Sequence, residues 1–271
     1  MNSNKDIILL KLGGSLLTDK NNPFSIREDI VKSSIHQIIK ANVKIILIHG
    51  GGSFGHPLAK QYSISNGLDT SIPNQILGVA KTHHSMNKFN TYLINQFLEK
   101  KYPVLSIQPS SIFIKDFEGT SIKSVDIIET ALDLGIMPIL YGDIILDKQG
   151  SFSIISGDQI ILALCQKLKK YHISKVVFAM ESDGLYIVDN NNSEDCKLIT
   201  ECYSNKLDTI DLADLGQKID VTGGIKGKLD FIKGICKYKI PVQLINGLIE
   251  GYIHKSLKNQ NLNCTNILIN E

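Results

Sequence analysis

The stretch Val43-Lys44-Ile45-Ile46-Leu47-Ile48-His49-Gly50-Gly51-Gly52-Ser53-Phe54-Gly55-His56 decides how this chain folds. Its first half is almost continuously apolar and rich in β-branched residues. Such a run suits a strand covered on both faces, as in a parallel sheet. Three glycines then stand at the strand's carboxyl end, and a helix is expected to open behind them. Glycines let a ligand approach the backbone, and free N–H groups at a helix start, reinforced by the helix dipole, form an anion site. The loop is read neither as a dinucleotide-binding fingerprint nor as a Walker A loop, since no Gly-Lys-Ser/Thr follows. Lys11-Leu12-Gly13-Gly14-Ser15 has the same form at the end of an earlier apolar run. Its backbone N–H groups could face an anion, and Lys11 and Lys20 could neutralise transferring phosphoryl oxygens.

Outward from these loops, further buried strands are expected over 7–12, 103–107, 138–141, 175–180 and 241–245. Helical patterns fill 27–40, 74–100, 124–134, 158–170 and 226–239 between them. Alternation of this kind predicts an α/β fold, a three-layer αβα sandwich around a mainly parallel sheet. The segment 143–156 reads as a hairpin turning at Lys148-Gln149-Gly150, and the Asn-rich stretch 190–195 as an exposed loop. No repeat or sharp linker divides the chain. Residues 1–271 are taken as one domain, with an acceptor-binding part to about 170 and a nucleotide-binding part from about 171 on a shared sheet.

Composition excludes several classes. A net charge of +2 in 271 residues gives no reason to expect nucleic acid as a partner. No apolar run approaches the ~20 residues that cross a bilayer, so no membrane is expected. The first residues, Met1 to Asp6, do not read as a signal peptide. Five widely spaced cysteines without a C-x-x-C pair support neither a disulfide framework nor a zinc site, and a cytoplasmic setting is expected.

Lys-Leu-Gly-Gly-Ser after one strand and His-Gly-Gly-Gly-Ser-Phe-Gly-His after another resemble the amino acid kinase family. The likeness continues in order through Gly142-Asp143, Ile155-Ser156-Gly157-Asp158, Ser182-Asp183-Gly184-Leu185-Tyr186 and Asp220-Val221-Thr222-Gly223-Gly224-Ile225-Lys226-Gly227-Lys228. Within the family, Ser53-Phe54-Gly55-His56 is most similar to the archaeal-type branch whose acceptor is isopentenyl phosphate. The resemblance implies the amino acid kinase fold, ATP and Mg²⁺ as cofactors, a small-molecule phosphate as substrate, isopentenyl diphosphate as product and a homodimer. It implies that Lys11, Leu12, Gly13, Gly14 and Ser15 cradle the ATP phosphates and that Lys11 and Lys20 stabilise the transferring group. Gly51, His56 and Gly157 would hold the acceptor and Gly52 would meet the γ-phosphoryl group. Asp183 and Gly184 would lie by the nucleotide, with Gly224 and Lys228 at its phosphates. Departures fall at Ala179-Met180-Glu181-Ser182 and at Asn190, and both concern nucleotide contacts. A fosfomycin-type phosphonate kinase shares the His after the glycine loop and is the alternative; carboxylate-directed kinases and a non-catalytic anion binder fit less of the pattern.

The chemistry agrees. A phosphate acceptor is already nucleophilic, so the protein must position it and offset the repulsion between two anions. His56, one turn into a helix, can donate to that phosphate. His49 reads as structural, and His83-His84 lack metal-ligand spacing. Asp143 and Asp158 each follow a glycine near a strand end. Asp158 either caps a helix or orients the lysines, and Asp143 is expected in the same lysine cluster. No protein metal ligand is named, since Mg²⁺ on ATP keeps phosphate oxygens and water as ligands. Ile76, Val79, Met86 and Phe89 are either the wall of an apolar tail pocket or an ordinary core face.

Overall fold

In a computed structural model, residues 5–19, 21–189, 192–210 and 224–270 are described. The strands are β1 (Asp6–Leu12), β2 (Ile45–His49), β3 (Val104–Ser106), β4 (Phe113–Asp116), β5 (Gly119–Ile122), β6 (Met137–Tyr141), β7 (Asp143–Asp147), β8 (Ser151–Ile155), β9 (His172–Met180), β10 (Leu185–Asp189), β11 (Asn192–Ile199), β12 (Glu201–Tyr203), β13 (Val242–Asn246) and β14 (Thr265–Leu268). The helices are α1 (Gly14–Leu17), α2 (Glu28–Ala41), α3 (Gly52–Gln61), α4 (Gln75–Glu99), α5 (Pro109–Ile112), α6 (Asp126–Asp133), α7 (Gly157–Lys167), α8 (Gly224–Cys236) and α9 (Tyr252–Leu257).

Eight strands form the main sheet in the order β12-β14-β13-β9-β1-β2-β6-β3. The pairs from β13 through β9, β1, β2 and β6 to β3 are all parallel, and β14 runs antiparallel to β13. Apolar residues face both sides of each central strand. In β1, Ile7 and Leu9 enter one core with Val176 and Phe178 of β9, while Ile8, Leu10 and Leu12 enter the other. The first core is closed by α6, α7 and α8 through Ile128, Ile161 and Ile232; the second by α2, α4 and α9 through Ile35, Phe89 and Ile253. A sheet covered on both faces requires strands without polar alternation, and the sequence supplies them. Truncating a wholly buried residue such as Leu9 should cost ~2–5 kcal/mol.

The helices start and stop for local reasons. In α2, Val31, Ile35 and Ile38 lie at i, i+4 and i+7 and make the buried stripe. Asn42 ends that helix in the left-handed conformation, φ 48°. α7 opens with a capping box: the Ser156 hydroxyl accepts from Gln159 N–H, and the Gln159 side chain accepts from Ser156 N–H.

The 143–156 hairpin forms as β7 and β8 and is joined by a hairpin the sequence did not signal, β4–β5, in a four-stranded sheet. One expectation needs correcting. The stretch taken as a loop at 190–195 is strand β11 from Asn192 onward, paired antiparallel with β10; Asn190 lies outside the described residues. The ribbon forms a sheet of its own, and its Leu185 and Ile199 reach the first core.

The chain travels from β1 to β2, β6 and β3 on one side, and to β9 and β13 on the other. β1 is therefore where the strand order reverses. Ligands in open α/β sheets bind outside the carboxyl ends of the strands at such a point.

Candidate active site

The two glycine loops meet at the carboxyl ends of β1 and β2. Gly13 N–H donates to Ala179 C=O at 3.0 Å, Gly50 N–H to Leu12 C=O at 3.1 Å and Gly142 N–H to His49 C=O at 3.1 Å. These bonds set the loops after β1, β2 and β6 side by side. The first two are in backbone contact: a Cβ on Gly14 would lie 2.3 Å from Gly52 N. Gly52 has φ +47°, and a Cβ there would lie 2.1 Å from Thr18 Oγ1. No other residue fits at either position without moving the neighbouring loop. Thr18, wholly buried, joins them: its hydroxyl donates to Gly14 C=O at 2.7 Å and accepts from Ser53 N–H at 2.9 Å.

Three charges gather beside this junction. Lys11 Nζ is 2.6 Å from Asp158 Oδ1, and Lys228 Nζ is 3.5 Å from Asp158 Oδ2. Lys11 comes from β1, Asp158 from the second position of α7 and Lys228 from α8. The aromatic face of Phe178, which pairs with Lys11 in the β1–β9 register, lies 5.8 Å from the Lys11 ammonium and 5.2 Å from that of Lys228. Burial works against the Asp158 carboxylate, but Lys11 and then Lys228 outweigh it and hold its pKa below the ordinary value. A buried carboxylate with two ammonium partners leaves one net positive charge, suited to a transferring phosphoryl group. Gly157 makes room for this arrangement, since a Cβ there would lie 3.0 Å from Lys11 Cε. Asp158 therefore orients the lysines and does not cap the helix; Ser156 is the cap.

The glycines expected to hold the acceptor bring their amides together. The nitrogens of Gly51 and Gly157 lie 3.8 and 4.0 Å from where a Cβ on Gly142 would stand. Three strand-end loops thus converge on one space. His56 is half-buried in α3, with Gly51 at the N-cap. Met86 lies beneath, its sulfur 3.2 Å from the Cβ position of Gly51. Met86 and Phe89 are core residues, while Ile76 is 63% exposed; only Val79 packs on the small cluster of Ala59, Ile64, Ile144 and Phe152 that flanks this side.

Asp143 does not join the lysine cluster, contrary to the sequence expectation. Its carboxylate, with no side-chain exposure, accepts from His83 Nδ1 at 2.7 Å, Ile144 N–H at 2.8 Å and Ser110 N–H at 3.2 Å. The partner is set by β7, which turns away from the main sheet directly after Gly142. His83, read from sequence as bland, is thereby a specific partner of a buried carboxylate. His49 is wholly buried, stacked on Tyr141, and burial lowers its pKa to about 4, so it is neutral.

Asp183 and Gly184, expected by the nucleotide, follow β9. One Asp183 oxygen accepts from Tyr186 OH at 2.8 Å, and the other is buried with no hydrogen-bond partner among the described residues. A Cβ on Gly184 would lie 2.1 Å from Thr265 Oγ1. Gly224 opens α8. Ser15 and Leu12 are placed in α1 and β1, whereas Lys20 and Asp220 to Gly223 lie outside the described residues. Sequence reasoning missed Thr18 and Phe178. A Thr four residues after Gly14 was a usable signal; Phe178 had none, because its role follows from register with Lys11.

The model of the amino acid kinase family matches residues 6–246. The chain belongs to the amino acid kinase family. Among its relatives, isopentenyl phosphate kinase of Methanocaldococcus jannaschii is 34% identical over 262 residues, covering 93% of this chain and 95% of that protein. Isopentenyl phosphate kinase of Methanothermobacter thermautotrophicus is 30% identical over 268 residues, covering 96% and 98%. A solved structure of isopentenyl phosphate kinase superposes with a TM-score of 0.80 at 26% identity, over 96% of this chain and 99% of that one. This member of the family thus shares the mostly parallel αβα architecture along nearly its whole length.

Proposed function

We propose that this chain transfers the γ-phosphoryl group of ATP to isopentenyl phosphate, giving isopentenyl diphosphate. The observation that carries the reading is the convergence of Lys11 and Lys228 on Asp158 beside two glycine loops in backbone contact. Relatives named for this activity, matched over almost their full length, support the acceptor.

In this reading the loop from Lys11 to Ser15 holds the nucleotide phosphates, with Gly52 at the γ-phosphoryl group. Lys11, Lys228 and Lys20 offset charge on the transferring oxygens. Gly51, Gly157 and His56 hold the acceptor phosphate in line, and no general base is required because that phosphate is the nucleophile. The unpartnered Asp183 oxygen suits a hydroxyl or amine donor of the nucleotide, supporting its place there with Gly184 and Gly224. Mg²⁺ fits this donor set through phosphate oxygens and water, since Asp158 is engaged by two lysines, and it would neutralise developing phosphate charge. Among the described residues no group of three or more His, Cys, Asp or Glu is placed to hold a metal ion, and no helix is long and apolar enough to cross a membrane. The same reading carries a homodimer, checked by light scattering.

ADP release from Mg-ATP would be followed with isopentenyl phosphate, fosfomycin, acetylglutamate or no acceptor. Turnover should be fastest with isopentenyl phosphate, and His56→Ala should reduce it ~10²-fold or more. Preference for fosfomycin would replace the acceptor; ATP binding without stimulated release would replace catalysis by binding.

A further inference from the structure

Helix α4 carries a stripe of polar side chains on its sheet-facing side, and two of them grip the chain on either side of Gly142. Tyr141 OH donates to Asn87 Oδ1 at 2.6 Å. Asn87 Nδ2 lies 3.0 Å from His83 Nε2, and His83 Nδ1 lies 2.7 Å from Asp143 Oδ1. Read as donors and acceptors, this is one directed chain: hydroxyl to amide oxygen, amide N–H to Nε2, and Nδ1–H to carboxylate. It matches the neutral His83 tautomer with its proton on Nδ1. Both ends of the chain are residues adjoining Gly142, whose own N–H is held by His49 C=O. The same turn of α4 supports the opposite wall of the acceptor space. Ser85 Oγ donates to Phe54 C=O at 2.8 Å, and the Met86 sulfur backs Gly51 and Gly55.

We infer that His83 and Asn87 are positioning residues for the acceptor phosphate. They set where Gly142 stands relative to the Gly51 and Gly157 amides, and they touch neither substrate. This rests on the proposed function, because it assumes that the space beside Gly142 takes a phosphate monoester. The physical case is that a half-satisfied polar network is worse than none. Asp143 is fully buried, so its hydrogen bonds must be kept. Keeping them pins α4 and Gly142 at one separation. The nucleotide side, built from β9 and α8, shares none of these bonds, so loss of the clamp should be felt at the acceptor alone.

The test uses wild type, Tyr141→Phe, Asn87→Leu, the double variant and His83→Gln, each with its melting temperature. KM is measured for isopentenyl phosphate and for ATP separately, and Kd for isopentenyl phosphate and inorganic phosphate by calorimetry without nucleotide. Asn87→Leu should weaken acceptor Kd and KM about tenfold and Tyr141→Phe a few-fold, as expected for buried hydrogen bonds. ATP KM should stay within about twofold, the scale on which no hydrogen bond is lost. His83→Gln, whose amide can still donate to Asp143, should recover most of the wild-type value. The double variant should be no worse than Asn87→Leu, since the hydroxyl acts through the amide. Acceptor and ATP KM rising together, or acceptor Kd unchanged in folded variants, would overturn the inference. Should Asn87→Leu not fold, Tyr141→Phe decides alone, because it removes one oxygen: an unchanged Kd sinks the clamp. A wild type that binds ATP but ignores isopentenyl phosphate overturns the proposed function instead, and the inorganic phosphate Kd values then decide the clamp.

Discussion

Asp158 and Asp143 look alike in sequence: each follows a glycine, each lies near the carboxyl edge of the same sheet, and each is buried. Their surroundings make them different chemical objects. Asp158 stands between two ammonium groups from β1 and α8, a group with surplus positive charge beside the glycine junction. Asp143 stands among backbone N–H groups and one imidazole, a network with no ammonium group in it, which fastens α4 to β7. Burying a carboxylate is costly in either place, and each is compensated in its own way. One compensation is made by two lysine ammonium groups beside the glycine junction. The other is consumed internally. Position relative to the glycine loops, not burial, separates the carboxylate that holds lysines from the one that fastens a helix.

The sharpest way to break that comparison is to neutralise each side. Lys11→Met or Asp158→Asn should lower kcat for ADP release by ~10²–10³, the range seen when preorganised charge is lost from a transition state. Asp143→Asn should leave kcat within about tenfold and instead lower unfolding stability by ~1–3 kcal/mol in urea titrations, as for a buried hydrogen-bond partner. Equal losses of kcat at the two aspartates would erase the distinction.

Acid sharpens it further, because the two regions answer in separate windows. His49, beside the α4 network, has its pKa lowered from 6.5 to about 4 by burial. The unfolded chain therefore takes up the proton first. This contribution is fully present above about 6.5 and is lost as pH falls toward about 4, at up to ~1.4 kcal/mol per pH unit. Asp158 is also depressed, from 3.8, so its contribution is present above that value and is lost only at lower pH. Stability measured across pH should show both windows, and His49→Gln should flatten the upper one alone. The smallest expected effect is at the junction itself. Thr18→Val removes a hydroxyl shared by the two loops and should cost about 1 kcal/mol in thermal unfolding. An effect within a few tenths would mean that the glycine contacts hold the loops without it.

Much of the fold was legible because parallel strands need apolar residues on both faces, and helices between them need stripes at i, i+4 and i+7. β1, β2, β6, β9 and β13 all announced themselves in this way. What stayed hidden lacked that signal: β4–β5 is short and half polar, and β11 opens with polar residues and pairs with β10 alone. In the candidate site the glycine loops were legible since close backbone approach excludes other residues. Lys11 was read from its place at a strand end and Lys228 through the family resemblance, but Phe178 and Thr18 were not named, because Phe178 meets Lys11 and Thr18 meets Ser53 only in the packed chain.

The sequence by itself determined that the sheet is parallel and buried, that two glycine loops end its strands, and which family the motifs resemble. These are properties of local spacing and residue type. Tertiary structure decided which charges meet. Lys11 and Asp158 are 147 residues apart, and His83 and Asp143 are 60 apart. No local pattern states which aspartate finds lysine and which finds histidine. That choice is made where β7 leaves the main sheet while α7 turns back over it, because electrostatic partnership depends on distances of a few ångströms that only the packed chain fixes.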